Sequence, residues 1–158
     1  MTTTLLLGSW AELEPLAAPL RHAVFVEEQG VPAELEWDEG DALCLHAVLM
    51  AEDGAAAATG RLLPAENIGG EAGVCRIGRI GRIGRIGRMA VRRSLRGLGY
   101  GAQVLDALVM ASRQRHDAGV VLHAQTSAQG FYAGRNFVRH GEIFDEAGIP
   151  HIEMVLRF

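Results

Sequence analysis

The stretch Arg88-Met89-Ala90-Val91-Arg92-Arg93-Ser94-Leu95-Arg96-Gly97-Leu98-Gly99-Tyr100-Gly101 constrains this chain more than any other. The segment ending at Val91 reads as an apolar strand. Beyond the stretch, Ala102, Leu105, Leu108, Val109 and Ser112 recur at helical spacing and give one buried face. Between strand and helix lies Arg96-x-x-Gly99-x-Gly101, a turn with three glycines in five residues. Glycine lets the backbone approach a ligand closely and point successive N–H groups into one concavity. The first N–H groups of the following helix are unpaired and lie at the positive end of its dipole. Together these predict a pyrophosphate site. A Walker loop needs Gly-Lys-Ser/Thr, and the chain contains no lysine; the spacing of a dinucleotide fingerprint does not fit either.

Length and composition narrow the setting. A chain of 158 residues, 49% hydrophobic and 22% charged, predicts one globular domain over 1–158 with a real core. A net charge of −4 argues against a general nucleic-acid binder. Cys44 and Cys75 lack metal or redox spacing, so reduced thiols and no metal site are expected. Leu5-Leu6-Leu7 is too short an apolar run for a signal peptide or a membrane span, which predicts a cytoplasmic protein with no membrane partner.

In chain order, Leu5 to Leu7 suits a first strand, and Ser9-Trp10-Ala11-Glu12 matches a capping box. Leu13, Leu16, Ala17, Leu20, Ala23 and Val24 keep helical spacing, while Pro15 and Pro19 predict a kinked or two-part helix over about 10–27. The acids from Glu27 to Asp41 read either as a solvated loop or as a site for a cation or cationic substrate. Two strands, Cys44–Glu52 and Ala57–Leu63, meet at an Asp53-Gly54 turn, and 64–73 reads as a loop. Arg76 to Arg88 then repeats Arg-Ile-Gly four times. Side chains alternate faces every two residues in a strand, so a period of three fits no clean two-faced strand. The insertion within 76–87 therefore predicts a protruding loop or a bulged hairpin extension, with the surplus looping out before Gly87. The helix from Gly101 is expected to end near Asp117 with a left-handed cap at Ala118-Gly119. A buried strand at 120–125, a short helix capped by Thr126 or Ser127, and two last strands over 137–144 and 151–158 complete the chain.

Four separated segments now carry a resemblance. Arg96-x-x-Gly99-x-Gly101 after Ile86-Gly87-Arg88-Met89-Ala90-Val91 resembles the acetyl-coenzyme A loop of the GNAT N-acetyltransferase superfamily. Phe25 to Pro32 with Glu36, Asp38, Asp41 and His46 is similar to a small bacterial subgroup of the ElaA and YjcF type. So are Leu122-His123-Ala124-Gln125-Thr126 with Phe131-Tyr132, and Ala147-Gly148-Ile149-Pro150-His151 with Met154. The resemblance implies an α/β (α+β) fold: a mixed, mostly antiparallel sheet of six or seven strands, splayed between strands 4 and 5 and flanked by about four helices. It implies acetyl-CoA as co-substrate, direct transfer of the acetyl group to the amine of a small molecule or peptide, and a fold in which a homodimer is compatible.

Mapped onto this chain, the resemblance gives Met89, Ala90 and Val91 to the pantetheine arm through backbone groups. Arg96, Gly97, Leu98, Gly99, Tyr100 and Gly101 would hold the pyrophosphate, and Gln125, Phe131, Tyr132 and Arg135 would line the other wall. Tyr132 stands where the family has a tyrosine general acid; a phenol of pKa about 10 suits a thiol near about 8.5. The alternative is a tyrosine packed under the cofactor. Glu27, Glu28, Asp38 and His46 are candidate bases, with Phe25, Glu27, Asp38 and His151 on the acceptor side. His46 could equally be packing, and His151 could equally make a structural hydrogen bond. Asn136 replaces the usual glycine before Phe137, and asparagine tolerates the left-handed conformation. A second function, a non-catalytic acyl-coenzyme A sensor, shares the same loop.

Overall fold

The computed structural model describes residues 2–68 and 81–158. In chain order it contains β1 (Thr4–Gly8), α1 (Trp10–Arg21), a π-helical turn (His22–Glu28), α2 (Ala33–Glu36), β2 (Leu45–Met50) and β3 (Ala56–Ile68). Then follow β4 (Gly81–Val91), α3 (Tyr100–Gln114), β5 (Gly119–Gln125), α4 (Gln129–Ala133), β6 (Val138–Glu146) and β7 (Ile149–Arg157). The strands form a seven-stranded mixed sheet in the order β1-β2-β3-β4-β5-β7-β6. β4 and β5 are parallel, and the β1–β2, β2–β3, β5–β7 and β6–β7 pairs are antiparallel. This is the expected α/β arrangement. The chain divides into two compact units, one of Met1–Leu63 with Gly87–Leu108, the other of Pro64–Ile86 with Val109–Phe158.

In the first unit the capping box forms as its spacing predicts. The Glu12 backbone N–H donates to Ser9 Oγ at 3.3 Å, and the Ser9 N–H donates to Glu12 Oε1 at 3.0 Å. α1 runs through both prolines to Arg21 and then widens into the π-helical turn, so the expected division of the helix is a change of pitch at residue 22. Its apolar face, Trp10, Leu13, Ala17, Leu20 and Val24, packs with Val48, Ala56 and Ala90. The predicted Asp53-Gly54 turn is present: Gly54 has φ +80°, and the Ala55 N–H donates to Asp53 Oδ1 at 3.0 Å.

Several boundaries differ from the sequence reading. β3 continues to Ile68, so 64–68 are strand, and the remainder of the expected loop lies outside the described residues. The described part of the Arg-Ile-Gly repeat, from Gly81, is also strand, so it does not loop out before Gly87. Of the two expected forms, the strand agrees with a hairpin extension and not with a protruding loop. A period of three puts Ile83 and Ile86 on opposite faces, and both are buried, at 1% and 2% exposure. The physical reason is position: an inner strand covered on both faces needs no polar face. Residues 76–80 and Cys75 lie outside the described residues.

In the second unit, Gly84 answers to close packing. A Cβ there would stand 2.7 Å from Ser112 Oγ, 2.9 Å from Asp117 Oδ2 and 3.0 Å from Val120 Cγ1. Ser112 and Asp117 are buried and joined by a 2.5 Å hydrogen bond, so they have nowhere to retreat. Gly84→Ala should cost about 1–3 kcal/mol by overpacking. That lowers the melting midpoint by about 2–4 °C per kcal/mol for a chain of this size, read by calorimetry.

The left-handed residue after α3 is His116, φ +66°, not Gly119, which opens β5. Asp117 instead accepts from Ser112 and from Arg115 Nε. The short helix is entered through a 3-10 turn at Thr126–Ala128, and no side chain caps it. β6 and β7 extend to a two-residue turn, Ala147 and Gly148, with φ of +52° and +79°, the type I′ pattern that matches strand twist. Asn136 takes φ +71°, as expected of its place before Phe137.

Candidate active site

The loop that closes β4 belongs wholly to the first unit. β4 ends at Val91, a 3-10 turn spans Arg93–Leu95, and α3 begins at Tyr100. Gly97 and Gly99 both have φ +83°, and nothing lies within 4 Å of where their Cβ atoms would stand. A side chain at either position would be strained and would project into the space an anion needs. The Gln103 N–H bonds to the Gly99 carbonyl, which sets the helix N-terminus directly after the two glycines. Arg93 and Arg96 stand exposed on the same loop. Positive-φ glycines, a helix N-terminus and two guanidinium groups form a donor set that fits a diphosphate.

The side chains of Ala90 and Tyr100 are buried, at 4% and 7% exposure, and serve the core. What those two residues can offer a ligand is backbone. Met89 and Val91 are half-buried, and Leu98 is exposed. Among the described residues the parallel ladder between β4 and β5 covers Ile83–Ile86 against Gly119–Leu122.

Arg96 has a specific partner. Its Nη1 and Nη2 donate to the two carboxylate oxygens of Glu28 at 2.7 and 2.8 Å, and its Nε donates to the Val91 carbonyl at 3.1 Å. The Arg96 guanidinium holds the Glu28 carboxyl below the usual carboxylate range. A carboxylate so paired is a weaker base than a free one, and the structure gives Glu28 the place of an ion-pair partner of Arg96.

His46 takes the packing place that the sequence left open for it. It is 1% exposed in the core of the first unit, with its Nε2 2.8 Å from the Asp41 carbonyl and its ring 4.7 Å from Trp10. Burial lowers its pKa, so the imidazole stays neutral. It reads as packing.

Within the acidic segment Glu27, Glu34 and Glu39 are exposed, whereas Glu36, Asp38 and Asp41 are paired with arginines. Asp41, 1% exposed, accepts from Arg21 Nη1 and Nη2 at 2.8 and 3.1 Å and from Arg61 Nη1 at 2.7 Å. Asp38 accepts from Arg61 Nη1 and Nη2 at 2.7 and 2.8 Å and from Arg88 Nη2 at 3.2 Å. Glu36 accepts from Arg21 Nε at 2.5 Å. Hydrogen bonding from Arg61 brings the Asp38 carboxyl down to about 2, against its partial burial. Three acids of the segment are therefore neutralised inside the unit, and their charge offers little to a cationic acceptor. Of the expected bases Glu27 alone is exposed with no arginine partner among the described residues; its ionic neighbour there is His22 Nδ1 at 3.5 Å. Glu27 lines an open groove of about 670 Å³ with Leu20, Ala23, Val24, Glu28, Arg92, Arg93 and Ser94. Phe25 packs partly buried against the core beside it.

In the second unit, Tyr132 lies on α4 at 7% exposure, edge-on to Phe131 and Phe137 with ring centroids 5.0 and 6.0 Å away. Its hydroxyl has no hydrogen-bond partner among the described residues. Burial pushes the phenol up to about 12, so it is a weaker acid than a free tyrosine and keeps its proton across the working pH range. Gln125 pairs in register with His151 across β5 and β7. The His151 ring stacks on Phe144, and its Nδ1 is 2.7 Å from the Ile149 carbonyl, the structural hydrogen bond left open by the sequence. Arg135 donates its backbone N–H to the Tyr132 carbonyl at 2.9 Å, and Phe131 is 39% exposed.

Sequence reasoning missed the arginines that neutralise the acidic segment. Arg21, Arg61 and Arg88 come from three distant elements, and nothing in their local spacing marks them. Among the described residues no group of three or more His, Cys, Asp or Glu is placed to hold a metal, and no helix is long and apolar enough to cross a membrane.

The strand–glycine turn–helix arrangement on a seven-stranded mixed sheet has counterparts among known proteins. Residues 50–158 match the acetyltransferase (GNAT) domain family. The chain is 32% identical over 137 residues to the uncharacterized N-acetyltransferase YjcF of Bacillus subtilis, covering 86% of each. Escherichia coli ElaA superposes with a TM-score of 0.76 at 27% identity, over 98% of this chain and 99% of that one. An acyl-CoA N-acyltransferase from Pseudomonas aeruginosa superposes with a TM-score of 0.75 at 26% identity, over 98% and 99%. The chain belongs to the GNAT acetyltransferase family and is by class an N-acetyltransferase.

Proposed function

We propose that this chain, acting as one domain in the cytoplasm, moves an acetyl group from acetyl-CoA to the primary amine of a small molecule or peptide by direct attack. The observation that carries this reading is the cradle at Gly97, Gly99 and the start of α3, whose donors fit a diphosphate. Acetyl-CoA, when bound, supplies the acetyl group as an activated thioester. The backbone of Met89 and Val91 would hold the pantetheine arm, and the Gly97–Gly101 N–H groups with Arg96 the pyrophosphate. Gln125, Phe131 and Arg135 are the proposed contributors from the second unit.

Tyr132 is the proposed general acid, handing its phenolic proton to the leaving sulfur. Among the described residues no hydrogen bond competes for its hydroxyl proton, which supports this role. The raised pKa works against early transfer: a phenol at about 12 gives up its proton only as charge accumulates on the sulfur. Glu27 is the proposed receiver of the ammonium proton, directly or through water, with Phe25 and His151 on the acceptor side. The test is release of coenzyme A thiol from acetyl-CoA across a panel of primary amines. Turnover with at least one amine is expected; saturable acetyl-CoA binding with no thiol release across the panel contradicts the assignment.

A further inference from the structure

We propose that Arg88 is a positioning residue, whose guanidinium, anchored on the 35–38 segment, holds β4 in a left-handed turn that aims the Met89–Val91 backbone at the coenzyme. The inference rests on the coenzyme reading above. Arg88 has φ +51°. The other non-glycine residues with positive φ, His116, Asn136 and Ala147, stand in turns between elements, whereas Arg88 stands inside a strand. Such a conformation is unfavourable for a side chain with a Cβ and persists only where the surroundings over-determine it.

The surroundings here are specific. Arg88 Nε donates to the Glu36 carbonyl at 3.1 Å, and its Nη2 donates to Asp38 Oδ2 at 3.2 Å and to the Leu35 carbonyl at 3.4 Å. Asp38 is itself fixed by the Arg61 fork, so the anchor is rigid. On the far side of the turn Ala90 is buried in the core cluster of the first unit. The left-handed residue is therefore clamped by its own side chain on one side and by a core methyl two residues on. A single residue of this kind re-aims the backbone groups that follow it. The repeat supplies arginine at 82, 85 and 88, but Arg82 is exposed and Arg85 turns to His123 and Glu66. Arg88 alone of these three reaches the 35–38 segment, two residues beyond the end of the ladder with β5.

The test compares Arg88→Ala with Arg88→Gly by calorimetric titration with acetyl-CoA and by NMR amide shifts of Met89, Ala90 and Val91. Alanine loses the anchor and disfavours the left-handed turn. Glycine loses the same anchor but adopts that turn without a Cβ clash. Arg88→Ala should weaken acetyl-CoA binding about tenfold or more and move the three amide shifts. Arg88→Gly should stay within about threefold of wild type, with the shifts in place. Wild-type affinity in Arg88→Ala, or equal losses in both variants, overturns the proposal. If wild type itself fails to bind acetyl-CoA, the coenzyme reading fails instead. The shifts then decide alone, because unmoved shifts in Arg88→Ala would show that the anchor does not set the backbone.

Discussion

Asp41→Ala should bring the chain close to unfolding. The substitution removes the shared acceptor of Arg21 and Arg61, whose residues are 1% and 6% exposed, and leaves each buried guanidinium with one remaining carboxylate, Glu36 and Asp38 respectively. Breaking a buried pair by removing one partner costs about 3–5 kcal/mol, against a total stability of about 5–15 kcal/mol for a domain. Asp53→Ala is the control. Asp53 makes a comparably short contact to Arg92, 2.7 Å, but its side chain is 57% exposed. Exposed pairs contribute about 0–1 kcal/mol, because water competes for both partners. Urea unfolding should therefore shift strongly for Asp41→Ala and barely for Asp53→Ala; equal midpoints would show that the buried network is dispensable.

The same network sets the response to acid. The Asp38 carboxyl lies at about 2 in the folded chain, below its unfolded value. A depressed folded pKa gives stability that is present above about 4 and disappears as pH falls towards 2. Asp41, which burial would raise but Arg21 and Arg61 lower, acts in the same direction.

Tyr132→Phe should lower kcat by about 10²–10⁴, the range for removing a positioned general acid. Stability and acetyl-CoA affinity should change little, since the hydroxyl has no hydrogen-bond partner to lose among the described residues and the ring packing is kept. With the phenol at about 12, activity should show no alkaline downturn from this group below about pH 10. Steady-state kinetics with the best amine of the panel, from pH 6 to about 10, checks both statements. Unchanged kcat in Tyr132→Phe would return the residue to packing.

The parts of the fold that local chemistry controls were legible in the chain. Ser9 and Glu12 cap α1 through a four-residue pattern, and Gly97 and Gly99 take the conformation that their turn requires. Asn136 takes the left-handed place that its position before Phe137 suggests. What escaped depends on partners distant in sequence. Glu36, Asp38 and Asp41 look like a charged surface until Arg21, Arg61 and Arg88 are folded against them. Glu28 looks like a base until Arg96, 68 residues on, occupies its carboxylate. The Arg-Ile-Gly period resembled loop because alternation diagnoses half-buried strands, whereas Ile83 and Ile86 are buried on opposite faces.

Coenzyme binding at the glycine turn is tested most directly by thermal denaturation with acetyl-CoA. A ligand at 100 times its dissociation constant stabilises the native state by about 2.7 kcal/mol. Wild type should show the corresponding rise in midpoint. Gly99→Glu, which places a carboxylate at a φ of +83° in the cradle, should melt cooperatively but show no rise. A wild type indifferent to acetyl-CoA, or a Gly99→Glu variant that rises as far as wild type, would contradict the placement of the pyrophosphate at this loop.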